Sequence, residues 1–348
     1  LPRALRIDLL EQSTFAELAG HADRLEALAD ARGAKHIVID EVQKLPPLLD
    51  EVHRLIERRR FRFVLTGSSA RKLKRSGANL LAGRARTLAM HPFTATELGA
   101  RFKIKQALRF GLLPTVWMED DPQRYLRSYV GTYLREEVQQ EALVRNLASF
   151  SRFLEAASLS QGQVLNMTAV AADCGINRKT VENYFDLLED LLLAVRLPVF
   201  TRKAKRKVVS HPKFFFFDSG VYRTLRPKGP LDSEAEIDGA ALETLVMQSL
   251  RAESSNAGLD YEFSYWRTPT GVEVDFVLYG EHGLHAFEVT RSPVFRESDL
   301  EGLRLFCEDY PQAEGHLFYG GTKRYRFGPI EVVPIEEGIR SLPSTLKG

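Results

Sequence analysis

The chain has 348 residues, 44% hydrophobic, 27% charged and 10% aromatic, which excludes a disordered, collagenous or coiled-coil rod architecture. Its 48 Lys and Arg against 46 Asp and Glu leave a net charge of +2, so any nucleic-acid surface must be a local patch. Two distant cysteines, Cys174 and Cys307, without C-x-x-C spacing, and no apolar run near the ~18 residues that span a bilayer, predict a soluble cytoplasmic protein with no membrane partner.

The first hundred residues alternate strand and helix. Residues 6–10 read as a strand, 15–31 as one helix of leucines and alanines, and His36-Ile-Val-Ile39 as a short buried strand. Residues 48–58 are again helical and 62–65 again strand, and this β-α-β-α-β order implies a parallel, doubly wound sheet. Residues 101–160 read as helical throughout, with Tyr125, Tyr129, Tyr133 and Leu134 on one face of a segment that opens after Asp121-Pro122. Residues 161–217 read as a helix-turn-helix followed by strands, and 240–335 as mixed α/β. The acidic stretch 232–238, after Pro227 and Pro230, reads as a linker.

The strand His36-Ile-Val-Ile-Asp40-Glu41 ends in two carboxylates. This is the Walker B pattern, in which the first acid coordinates Mg²⁺ and the second polarises water. A buried strand ending in a solvated Asp-Glu at a helix start looks the same. The next strand, Phe63-Val-Leu-Thr66-Gly67-Ser68-Ser69, ends in hydroxyls, and a parallel sheet sets that end beside Asp40, where a polar side chain can sense a γ-phosphate.

The stretches IDEVQKLPPLLDEVHRL, FVLTGSSARKL and NLLAGRA resemble the AAA-type prokaryotic ATPases whose C-terminal half is a domain of unknown function with a nuclease-like fold. The resemblance extends over nearly the whole chain. It implies ATP and Mg²⁺ as cofactors, Asp40 and Glu41 as the Walker B acids with Asp40 on the metal, and Ser68 or Ser69 as the sensor. It also implies Arg84 as an arginine finger acting on a neighbour's phosphate, hence a homo-oligomer; a solvated loop cation is the alternative for Arg84. The loop G-x-x-x-x-G-K-[ST], whose amides and Lys hold the phosphates, is absent, because no Gly-Lys dipeptide occurs. In the family that loop precedes a segment like residues 1–10. The expectation is therefore a chain that begins after it, with negligible ATP hydrolysis and weak nucleotide binding.

Residues 168–189 place a short helix, a Gly175 turn, an Asn177 cap and a longer amphipathic helix in helix-turn-helix order. Strands at 194–200 and 213–217 flank a basic tract and would form a wing. Arg178 and Lys179 would then face a DNA groove, while Arg202, Lys203, Lys205, Arg206 and Lys207 met phosphates. A protein-contact module with a solvated basic loop is the competing reading. The run Phe214 to Phe217 fits a strand buried on both faces, and Trp117 a packing role.

Further on, Glu243 lies in a helix, Asp275 on the second strand of a hairpin, and Glu288 and Thr290 on one face of a following strand. A helix Glu, a strand Asp and a strand Glu-x-Lys form the metal site of restriction-endonuclease-like folds. Here Thr290 stands where that pattern has Lys, and Arg291 points away, so the expectation is a degenerate nuclease-like domain. The combined expectation is an α/β protein in four parts. These are an incomplete P-loop-type parallel sheet (1–100), a helical lid (101–160), a winged helix-turn-helix (161–225) and a C-terminal PD-(D/E)XK-like α/β domain (235–340). The alternative function is a nucleotide-independent DNA- or protein-binding module.

Overall fold

The computed structural model describes residues 4–67, 83–133, 146–202, 211–230 and 232–348. The chain divides into two units, residues 1–88 and 89–348. The first is built from β1 (Leu5–Asp8), α1 (Gln12–Gly20), α2 (Arg24–Ala31), β2 (His36–Asp40), α3 (Leu48–Arg59) and β3 (Arg62–Leu65). Its strands form a parallel sheet in the order β1-β2-β3, with Asp8 opposite Asp40. Ile37 and Ile39 on β2 and Leu48, Leu49, Val52 and Leu55 on α3 are buried in one core, as the two-residue and 3.6-residue periods of those segments require.

The single helix expected over 15–31 is two helices. Gly20 ends α1, and the chain turns at His21 before α2 starts; glycine's conformational entropy makes it a weak helix former, so the break falls there.

The second unit contains α4 (Ala95–Leu98), α5 (Ile104–Phe110), α6 (Pro114–Met118), α7 (Pro122–Ser128), α8 (Leu147–Leu159), α9 (Met167–Cys174) and α10 (Arg178–Asp190). Then follow β4 (Ala194–Leu197), β5 (Lys213–Phe216), α11 (Ser219–Leu225) and α12 (Glu234–Ala257). The remainder is β6 (Glu262–Arg267), β7 (Glu273–Gly280), β8 (Gly283–Thr290), α13 (Ser298–Asp309), β9 (Ala313–Tyr319), β10 (Tyr325–Phe327), β11 (Ile330–Pro334) and α14 (Ile335–Thr345). Its six-stranded sheet runs β10-β11-β9-β8-β7-β6; β8, β9 and β11 are parallel and the other pairings antiparallel. Among the described residues no helix is long and apolar enough to cross a membrane.

The expected linker at 232–238 is instead the start of α12. Ser233 caps it by accepting the Glu236 amide proton, and Glu234 and Glu236 sit in the first turn, where the helix dipole favours negative charge. The acidity that suggested a solvated connection is helix-start chemistry. Arg223 and Arg291 both pair with Asp238, tying that turn to α11 and to the segment after β8.

The phenylalanine strand is core, with Phe214, Phe215 and Phe216 fully buried. Alternate residues of β5 enter different clusters. Phe214 and Phe216 pack with Phe185, Ile237 and Ala241, while Phe215 packs with Leu245, Phe276 and Leu342. Strand β5 thus lies between two apolar clusters, one built with residues of the segments expected as lid and winged helix, the other with residues of the expected C-terminal domain. Beyond β4 the chain is stitched to β6, since Tyr265 donates to the Pro198 carbonyl (2.9 Å) and receives the Phe200 amide on its own carbonyl (2.7 Å).

Candidate functional site

Asp40 ends the central strand of the first unit, and its carboxylate is exposed. It accepts a hydrogen bond from the Thr66 hydroxyl, just past the end of β3, and from the Glu41 amide at 3.2 Å. The chain pairing that creates this meeting is continuous: the Thr66 amide donates to the Ile39 carbonyl and the Val42 amide to the Thr66 carbonyl, both at 3.0 Å. Glu41 adopts a left-handed backbone (φ 56°, ψ 41°), a conformation that costs a non-glycine residue about 1 kcal/mol or more. Its carboxylate is held by the Gln43 amide nitrogen at 2.5 Å. Among the described residues Asp40 has no ion-pair partner, so its charge is open to an incoming cation. Ser68 and Ser69 lie outside the described residues. Arg84 is placed in an exposed ion pair with Glu57 of α3 in its own chain.

The second unit gathers a different cluster. Glu243 of α12, Glu273 and Asp275 of β7 and Glu288 of β8 surround the ammonium of Lys213, which comes from β5. Lys213 is 2% exposed and lies 3.2 Å from Glu273 Oε1 and 3.3 Å from Asp275 Oδ1. The other Asp275 oxygen accepts the Val289 amide (3.1 Å), and Glu288 Oε2 accepts the Asp275 amide (3.2 Å). Burial pushes the Glu243 carboxyl up to about 8, with the Asp275 charge adding to the shift. Burial also raises Asp275, and raises Glu288 well above the usual carboxylate range. Burial disfavours the charged form of Lys213, but the surrounding carboxylates, Asp275 first, outweigh it and raise its pKa. Glu273 and Glu288 border an open cleft of about 610 Å³ with Thr270, Ser298 and Glu301.

The sequence therefore placed Glu243, Asp275 and Glu288 together correctly but missed Lys213 and Glu273. Thr290 accepts the Ser292 amide at 3.3 Å and carries no charge to the cluster. The positive charge absent at position 290 enters from another strand. The lysine directly before the Phe run, outside the basic tract, was the available signal, since a lysine opening a wholly apolar strand needs a carboxylate partner. A divalent ion does not fit this set as arranged: both Asp275 oxygens are committed, one of them to an ammonium already neutralising the acids.

At the helix-turn-helix, Gly175 takes the left-handed turn (φ 64°), and Asn177 caps α10 by accepting the Thr180 amide at 2.8 Å. Lys179 is exposed at the start of α10. Arg178 instead pairs with Glu182 (2.8 Å), and Arg202 pairs with Glu262 (2.7 Å) while lying over the Tyr279 ring. Lys203, Lys205, Arg206 and Lys207 lie outside the described residues.

Three protein families match successive parts of the chain: an AAA domain over residues 3–99, a domain of unknown function (DUF8612) over 101–232, and another (DUF4143) over 238–338. The N-terminal part of the chain is thus similar to an AAA domain, and its C-terminal part to a domain of unknown function. An uncharacterized protein of Haemophilus influenzae is 22% identical over 216 residues, 57% of this chain and 54% of that protein. The chain thus spans about half the length of the curated relative it matches. Protein VC1899 from Vibrio cholerae, whose crystal structure is known, aligns over 100% of this chain and 98% of its own at 12% identity and a TM-score of 0.25, which supports no inference about this chain.

An AAA domain implies ATP and Mg²⁺. The donor chemistry at the strand ends fits such an ion: Asp40 and Thr66 bring hard oxygen donors together at one point, and Asp40 keeps a carboxylate oxygen clear of the two bonds it accepts. The AAA domain of this chain would hold the ion there.

Proposed function

We propose that the chain is a DNA-associated member of the AAA-type ATPases, with Asp40 and Glu41 as its hydrolytic acids. The observation that supports this reading is the Asp40 carboxylate, exposed at the end of the central parallel strand and bonded to the hydroxyl at the neighbouring strand tip. Bound Mg²⁺ would neutralise phosphate charge. Thr66 holds the Asp40 carboxylate at the strand end, and Gln43 steadies Glu41 on its strained backbone. To act on a neighbour's phosphate, Arg84 must leave Glu57, and an exposed pair of this kind is worth no more than about 1 kcal/mol.

Residues 1–348 contain no phosphate loop, so this chain alone is expected to bind nucleotide weakly and turn none over. Equilibrium titration with a labelled ATP analogue should show no micromolar affinity. Any weaker binding should require Mg²⁺ and disappear in Asp40→Asn with unchanged thermal stability. Micromolar binding by the unaltered chain, or Mg²⁺-dependent binding that survives Asp40→Asn, would count against this reading.

A nucleotide-independent DNA-binding role is the second reading, supported by the capped α10 with Lys179 exposed at its start. A mobility shift should weaken steeply with salt. Neutralising Lys203, Lys205, Arg206 and Lys207 together should flatten the log–log salt slope by about 3 to 4. An unchanged slope would leave the basic tract without a DNA role.

A further inference from the structure

Strands β8 and β9 carry a second group of side chains, on the opposite strand face from Glu288 by the two-residue period. His285 stands opposite Glu314 in the parallel register, and His316 follows Glu314 by two residues on the same face. His285 and His316 are 2% and 5% exposed, while the side chain of Glu314 is 62% exposed. His285 Nδ1 lies 3.4 Å from His316 Nε2 and 3.7 Å from Glu314 Oε2. Among the described residues this is the group of three His, Cys, Asp or Glu side chains whose ligand atoms all fall within 4.8 Å of one another.

A neighbouring hydrogen-bond chain decides which His285 nitrogen bears the proton. The Tyr261 hydroxyl donates its one proton to the Leu346 carbonyl (2.9 Å), so toward His285 Nε2, at 3.1 Å, it can only accept. Nε2 therefore carries the hydrogen, and Nδ1 turns a lone pair toward His316 Nε2 and the Glu314 carboxylate. That lone pair and the acceptor-only Glu314 carboxylate, 3.7 Å apart, are both of the kind that a cation between them would satisfy. A direct imidazole–imidazole hydrogen bond is a poor answer, because 3.4 Å is longer than the usual ~2.9–3.0 Å. Bond lengths of about 2.0–2.2 Å at a tetrahedral ion set ligand atoms about 3.3–3.6 Å apart, close to the two separations that His285 makes, with all three ligand atoms within 4.8 Å of one another.

We propose that His285, Glu314 and His316 bind a zinc-type divalent transition ion, with Tyr261 as the partner that orients His285. The exposed Glu314 leaves the fourth position to water, and the ion would clamp β8 to β9 and, through Tyr261, to the chain end after α14.

The test is calorimetric titration of the chelator-treated full chain with ZnCl₂, alongside Glu314→Gln, whose surface position leaves folding intact. The unaltered chain should bind one ion and melt at a higher temperature when loaded. Glu314→Gln should weaken the affinity by about tenfold or more. Co²⁺ loading should give the visible bands of a tetrahedral site in the unaltered chain and lose their intensity in the variant. No binding by the unaltered chain, or equal affinity and equal Co²⁺ spectra in both proteins, would overturn the site.

Discussion

Replacing Lys213 with Met should lower the unfolding free energy by about 3–5 kcal/mol at pH 8. The lysine's own desolvation is already matched by the acids around it. Removing it leaves Asp275, 6% exposed at its side chain, with a buried charge and no counter-ion. The loss should depend on pH in a set direction. Glu243 is pushed up to about 8 in the fold, against an ordinary 4.5. A carboxyl raised on folding contributes stability that is fully present below its unfolded pKa and lost as pH climbs through the folded one. The native protein should therefore lose stability from this group between pH 4.5 and pH 8. Without Lys213 the carboxyls rise further, so the variant's deficit should shrink toward about 1–2 kcal/mol near pH 5, where they can take up protons. Urea unfolding of both proteins at the two pH values measures this. A deficit equal at both would mean that Lys213 acts through packing of its stem and not through charge.

Asp218→Ala should cost about 3–5 kcal/mol, the second large effect. The carboxylate is fully buried and takes four hydrogen bonds: from the Leu112 amide (2.8 Å), the Gly220 and Val221 amides (2.9 and 3.1 Å), and the Gln248 side chain (3.3 Å). It caps α11 and at the same time joins the turn after α5 to α12. Gly220 makes the junction possible, since a Cβ there would lie 2.1 Å from the Phe110 carbonyl oxygen. Asp218→Asn keeps the shape but turns an NH₂ group toward two donors, so it should cost about half as much. Urea unfolding should rank alanine below asparagine, and asparagine below the native residue. A neutral asparagine variant would show that the site does not need an anion.

Much of the N-terminal site was legible because it is local. The apolar run 36–39 must bury itself, and its two acids follow directly, so their place at a strand end is a property of a few consecutive residues. The hydroxyl-bearing end of the third strand was expected beside Asp40 from strand order alone, because a parallel sheet aligns strand ends, although the sensor role was given to Ser68 or Ser69 and the hydroxyl found on Asp40 is that of Thr66. The turn at Gly175 and the Asn177 cap were equally local. The acidic start of α12 misled because acidic residues suit both a solvated linker and a helix N-terminus; the packing of Ile237 and Ala241 into the core decides between them.

By itself, then, the sequence determined the β-α order of the first unit, the helix-turn-helix, the buried phenylalanine strand and the acids at Asp40, Asp275 and Glu288, each written in a period of two or 3.6 residues. Only the tertiary structure decided that Lys213 supplies the charge Thr290 lacks, that Asp218 joins three distant segments, and that His285 faces His316. Those meetings depend on which strands become neighbours and in what register. The free energy that fixes register comes from burial summed over the whole interior, which no short stretch of sequence contains.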